Sequence, residues 1–257
     1  MKKILSILLA AVMLITGVCT FASCGAVSAV SAIAQADQAL ENNPYCVTMT
    51  MDLRCDNPQI NEALKNMDME APVTVNGDNM AMSMSMGITN IHIVVVDKVL
   101  YYDTNIKMKA TLTDEQYKDF RENSTEMPID STNFEALTLE TVDGKHVITC
   151  TGITAEGTEK LNKLLVDTLF FIDASAPLDN LSFKITIADG KYESIALSVD
   201  CAVTVGDETV TITLSMTAKY AYDNVKPVTA PADAYRYEEA DYDGFHGVIP
   251  RVPRLTT

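Results

Sequence analysis

The chain has 257 residues, of which 47% are hydrophobic and 21% charged, with only 11 Gly and 9 Pro. Those proportions exclude collagen, low-complexity disorder and a small disulfide-stapled scaffold. Its formal net charge is −16, from 19 Lys+Arg against 35 Asp+Glu, so no basic cluster is at hand to displace counterions from a phosphate backbone. Nucleic acid is therefore not an expected partner.

The N-terminus reads as an address. Lys2 and Lys3 precede an apolar run from Ile4 to Val18, and Phe21-Ala22-Ser23-Cys24 follows. A charged start, a short apolar segment and small residues at the cut are the marks of a secretory signal. With Cys24 directly after Ala22-Ser23, the segment resembles a bacterial lipobox, although Phe21 stands where Leu is usual. That resemblance implies a signal peptide over 1–23 and a diacylglyceryl group, with palmitate-type chains, on Cys24. An uncleaved anchor from Ile4 to about Ala22 is the competing reading, near the ~20 residues that a span needs, but Thr16, Gly17 and Thr20 weaken it. Cleavage removes two lysines and no acids, so the exported part is still more acidic and is held off anionic headgroups by repulsion. The anchor does the holding.

After the lipidated start, residues 24–44 comprise a first helix over Ala26–Asn42, stopped by Asn43-Pro44. Tyr45 to Cys55 alternates, with Tyr45, Val47, Met49, Met51, Leu53 and Cys55 on one face, as a half-buried strand requires. Asn76-Gly77 is a hairpin signal, and Met80, Met82, Met84 and Met86 alternate with small residues beyond it. Ile91–Val96 and Val99–Asp103 read as strands joined by Asp97-Lys98. Thr113-Asp114-Glu115-Gln116 resembles a capping box for a short helix over Asp114–Arg121. Phe134–Val142 and Lys145–Ile153 form a hairpin about Asp143-Gly144, and Thr154 caps a helix over Ala155–Phe170 with a leucine stripe at Leu161, Leu164, Leu165 and Leu169. Leu181–Ile187, Ile195–Val205 and Val210–Tyr220 complete the alternation.

About eleven strands and three helices result, the strand partners mostly joined by two-residue turns. The expected class is α+β: a large curved antiparallel sheet, a half-open barrel, over residues 45–235, with helices covering its concave face. A flat open sheet of that width is unusual, and helices with one apolar stripe must bury it. Residues 236–257 read as an acidic, Pro-containing C-terminal tail.

The lipobox, the helix, the Tyr-led strand Tyr45-Cys-Val-Thr-Met-Thr-Met51, the pair Ile93–Tyr102 and the closing run Tyr220–Ala234 together resemble the LolA/LppX-like lipoprotein superfamily. The resemblance covers roughly residues 26–235 and lacks the Trp that many relatives carry, Trp being 0 here. It implies a half-open barrel over a hydrophobic cavity and the binding of an apolar, often acylated, ligand.

Methionine is unbranched and polarizable, so Met49, Met51, Met80, Met82, Met84 and Met86 suit a cavity for ligands of variable shape. An ordinary core face that happens to use Met is the plainer explanation. Val199, Leu214 and Met216 join them as cavity candidates. His92, His146 and His246 show no ligand spacing, and Glu239-x-Asp241-x-Asp243-Gly244 imitates half a calcium loop but has Pro250 at its twelfth position. No catalytic residues, metal or cofactor are assigned, since no nucleophile elbow or phosphate-cradling glycine loop occurs. Export makes a disulfide among Cys46, Cys55, Cys150 and Cys201 possible, with free thiols the favoured reading; Cys46 and Cys55 stand about 30 Å apart along one strand and cannot bridge while it is intact. The expected function is a non-enzymatic, membrane-tethered lipoprotein on the extracytoplasmic face of a bacterial membrane, holding an acyl-chain ligand. The alternative is a surface binding or scaffold module without a small-molecule ligand.

Overall fold

The computed structural model describes residues 24–64, 69–86, 89–125, 134–159, 178–205 and 208–242. The signal segment 1–23, the leucine stripe of the 155–170 helix, His246 and the tail beyond 242 lie outside the described residues.

One open sheet dominates. Helix α1 (Cys24–Asn42) leads into β1 (Tyr45–Cys55), α2 (Pro58–Leu64), β2 (Met69–Asn76), β3 (Asn79–Met86), β4 (Thr89–Val96), β5 (Val99–Asp103) and β6 (Lys107–Thr111). Helix α3 (Asp114–Thr125) precedes β7 (Phe134–Val142), β8 (Lys145–Ile153), β9 (Leu178–Ala188), β10 (Lys191–Val205), β11 (Glu208–Ala221) and β12 (Glu238–Glu239). The strand order is β12-β6-β5-β4-β3-β2-β1-β11-β10-β9-β8-β7. Every pairing is antiparallel except β12 on β6, which is parallel, and the two ends do not meet, so the 12-stranded sheet is not closed into a barrel. The chain starts at the centre, builds outward to β6, crosses to the opposite edge at β7 and returns until β11 pairs with β1.

Local chemistry explains the boundaries. Helix α1 ends where the Asn43 amide and its side-chain Nδ2 both donate to Ala39 O, at 3.1 and 2.8 Å, which satisfies a carbonyl that the helix leaves unpaired. The capping box forms as read: the Gln116 amide donates to Thr113 Oγ1 at 3.2 Å and the Thr113 amide to Gln116 Oε1 at 2.9 Å. Thr154 Oγ1 accepts from the Gly157 amide at 3.0 Å and starts a helical turn over 155–159. Asp143-Gly144 and Asp189-Gly190 turn with φ of 50° and 78°, and 50° and 71°. The first hairpin differs slightly: Asn76 pairs with Asn79, so Gly77-Asp78 is the turn, one residue later than the Asn76-Gly77 pattern implies.

The core lies on one face. Val47, Leu53, Ile93, Leu100, Ile148, Val199 and Ile212 are buried there, and α1 adds Ala29, Ala32, Ile33 and Ala36 where it packs on β7, β9 and β10. The opposite face is short and polar, with Thr48, Thr213, Ser215 and Ser198 half-buried. Among the described residues no helix is long and apolar enough to cross a membrane.

Candidate functional site

The antiparallel register places the apolar-face residues in transverse rows, because directly opposed residues share a face. Met51 faces Met216 across the β1–β11 pair and Met69 across β1–β2, while Met69 faces Met86 across β2–β3. Four methionine positions on four adjacent strands thus occupy one row. In the neighbouring row Met49 lies between Ala218 and Ala71, two small buried residues, and Met84 opposes Ile91. Met51 and Met84 are 5% and 8% exposed, Met49 and Met216 half-buried; the Met69 and Met86 side chains lie outside the described set.

The register therefore divides the residues singled out from sequence. Met49, Met51, Met84, Met86 and Met216 fall in one patch. Met80 lies between Val75 and Val95, and Met82 between Val73 and Ile93, where branched aliphatics surround them. Val199 faces Leu214, which faces Leu53, a row of fully buried aliphatics on the other side of the methionines. By register the Met69 position joins the row without having been singled out; the alternation Met69, Ala71, Val73, Val75 is its signal.

Toward the start of β1 the same face changes character. Tyr45, Tyr192, Tyr220 and Tyr222 gather there, with ring centroids 6.2 Å apart for Tyr45–Tyr220, 6.4 Å for Tyr45–Tyr222 and 5.6 Å for Tyr192–Tyr220. Helix α1 contributes Asp37, whose Oδ1 accepts from the Tyr192 hydroxyl at 2.7 Å. Burial pushes the Asp37 carboxyl above its ordinary range, against the Tyr192 bond that lowers it, and Glu41 adds repulsion. Burial likewise raises the phenols of Tyr192 and Tyr220, and pushes Tyr222 up to about 12. Lys191 Nζ stands 5.0 Å from the Tyr222 ring centroid, and the buried Tyr222 hydroxyl, toward which the Tyr192 backbone amide is directed, finds no acceptor for its own proton among the described residues. Sequence reasoning missed this cluster. Its only local trace is Asp37 beside the apolar stripe Ala29, Ile33, Ala36.

At the far edge, Thr111, Gln116, Glu239, Ala240, Asp241 and Tyr242 line a cavity of about 430 Å³. Glu239 is held there by Lys109 at 2.9 Å. Tyr237 from the C-terminal segment is buried, and Lys107 Nζ reaches both Asp103 and Asp233 at 2.9 Å. Residues 236–242, assigned to the tail from sequence, thus pack against β6. The histidines are dispersed: His92 Nδ1 meets Ser83 Oγ at 2.9 Å on β4, and His146 Nδ1 meets Thr141 Oγ1 at 3.4 Å on β8. Among the described residues no three His, Cys, Asp or Glu side chains are grouped to hold a metal ion. No family model matches the chain, and comparison with curated proteins finds no match.

Proposed function

We propose that the protein is a lipoprotein tethered through a diacylglyceryl group on Cys24 to the extracytoplasmic face of a bacterial membrane, and that it holds an acyl-chain ligand without catalysing a reaction. The sheet curls into a half-open barrel, helices cover its concave face, and the ligand lies against the methionine patch. The observation that carries this reading is the row Met216–Met51–Met69–Met86, set beside Ala71 and Ala218. Elsewhere the same face is mostly Leu, Ile and Val, with Met80 and Met82 set among them, and branched aliphatics define a packed core better than Met does. Methionine positions concentrated in one row suit a guest of variable shape, since the thioether side chain is adaptable.

Native mass spectrometry of the purified protein tests this: a co-purified lipid or fatty acid is expected, and its loss on delipidation should be reversed by added palmitate. A protein that carries no lipid and takes up none overturns the ligand. Metabolic labelling with radioactive palmitate tests the anchor, which Cys24→Ser should abolish.

A further inference from the structure

The apolar face has a direction. Going along β1 from Tyr45 to Met51, six residues or about 20 Å, it passes from the tyrosine cluster to the methionine row. A single extended acyl chain matches that reach, with one end among hydroxyl groups and the other among thioethers.

Two features of the tyrosine end bear on the head of such a ligand. Tyr222 brings its hydroxyl out of water and gives it no acceptor among the described residues, which costs free energy unless something supplies one. Lys191 lies over the same ring, at 5.0 Å, and forms no ion pair among the described residues. Arg54, Lys98, Lys107, Lys109 and Lys145 each hold a carboxylate; Lys184, Lys219, Lys226 and Lys191 hold none among the described residues, and of these Lys191 stands over a ring of the tyrosine cluster. The nearby Asp37 is engaged by Tyr192, with Glu41 beside it on α1, and neither pairs with Lys191. An unpaired O–H donor and an unpaired ammonium at one rim call for an anionic acceptor.

We infer that the ligand is a single-chain amphiphile with an anionic head, received at the tyrosine end by Tyr222 Oη and Lys191 Nζ, its chain running along β1 and β11 toward Met51 and Met216. This rests on the acyl-ligand reading and adds its polarity and head chemistry. Two head groups share that chemistry, a carboxylate and a phosphate monoester.

The test is displacement of a fluorescent fatty acid from the purified protein by three competitors: palmitate, monopalmitoyl glycerol phosphate and methyl palmitate. The anions, or whichever of the two fits the rim, should compete roughly tenfold better than the ester, as a charge-assisted hydrogen bond implies. Tyr222→Phe and Lys191→Gln should each reduce that advantage and leave the ester's affinity unchanged. A preference for carboxylate over phosphate, or the reverse, identifies the head. Equal binding of anions and ester, or variants that weaken all three alike, overturns the inference while the acyl-ligand reading stands. Failure of every competitor and of the probe itself overturns that reading too.

Discussion

The hydroxyl of Tyr192 on β10 donates to the carboxylate of Asp37 on α1 at 2.7 Å, and so ties the helix that follows Cys24 to the sheet. The rest of that contact is small and apolar: Ala29, Ala32, Ile33 and Ala36 let the helix approach closely. Gly190 fits this closeness, since a Cβ there would come 2.9 Å from Gln35 Nε2. Its φ of 71° would strain any other residue as well.

Asp37 is stabilised by Tyr192 but penalised more by burial, so its carboxyl is raised in the folded protein. A raised acid contributes stability that is present below its unfolded pKa, about 3.9, and is lost as pH rises through the folded value. Asp37→Asn keeps an oxygen acceptor for Tyr192 and removes the buried charge. Thermal unfolding should show the variant gaining on the parent as pH rises from 4 to 7, with no gap below pH 4. Tyr192→Phe should act in the opposite sense at pH 7, costing about 1–3 kcal/mol because the ionised carboxylate loses its donor. An Asp37→Asn variant that is less stable than the parent at pH 7 would show that the ionised form is the stabilising one.

The C-terminal segment is held to the sheet edge by Lys107, whose ammonium meets Asp103 and Asp233 and lies 5.1 Å from the Tyr237 ring centroid. Backbone pairing continues the contact, the Ala240 amide donating to Lys109 O at 2.9 Å. Lys107→Ala should raise hydrogen exchange across 234–240 and leave β1 and β11 protected. The Lys107 ammonium lowers the Asp233 carboxyl, so this contact's contribution is present above the unfolded carboxylate pKa and fades as pH falls through the folded value. Exchange over the same residues should therefore increase in acid and in high salt, since these charges are partly exposed. Unchanged exchange in Lys107→Ala would assign the docking to Tyr237 and the β12 pairing alone.

What was legible in the sequence was local. Alternation in Tyr45–Cys55 and Val210–Tyr220, the turn at Asp143-Gly144, and the Thr113–Gln116 box are each decided within a few residues. Helix α2 was also local yet went unread: Asn57 caps it through Oδ1, accepting from the Gln59 amide at 3.0 Å, and Pro58 takes the first helical position, but seven residues carry no periodicity. Strand β6 is five residues with outward lysines, and β12 is two residues whose partner lies far back in the chain, so tertiary pairing alone defines them. The methionine alternation was visible, but the row was not, because Met51 meets Met216 only through the β1–β11 register. The tyrosine cluster draws on β1, β10, β11 and the residue after it for the same reason.

Among the described residues Cys46, Cys55, Cys150 and Cys201 are free thiols, and their settings differ. Cys201 is fully buried and burial pushes it up to about 11; Cys150 is also buried and raised, its single S–H having Gly152 O at 2.7 Å and Glu135 O at 3.1 Å as acceptors. The thiolate is the reactive form, so both should resist alkylation in the native protein at pH 8. Cys46 is half-buried on the polar face, its Sγ 3.5 Å from Thr74 Oγ1, and should be modified first. Mass mapping after brief iodoacetamide treatment checks the order. Cys201 labelled as fast as Cys46 would mean that the β10–β11 region opens well below global unfolding.

The methionine row separates packing from ligand adaptability. Leu for Met is close to volume-conserving and usually costs under about 1.5 kcal/mol, whereas Met51→Ala at a site 5% exposed should cost about 2–5 kcal/mol. Met49→Leu, Met51→Leu and Met216→Leu combined should therefore leave the melting temperature near that of the parent. If the row serves only as core, nothing else changes, because leucine fills the same space with better-defined rotamers. If it receives acyl chains, the triple variant loses breadth: affinities for chains of different length and unsaturation, close together in the parent, spread apart as the stiffer wall selects among them. Titrations with palmitate, oleate and laurate on both proteins decide it. Matching affinity profiles at matching stability would return the row to the core and remove the main support for an acyl ligand on this face.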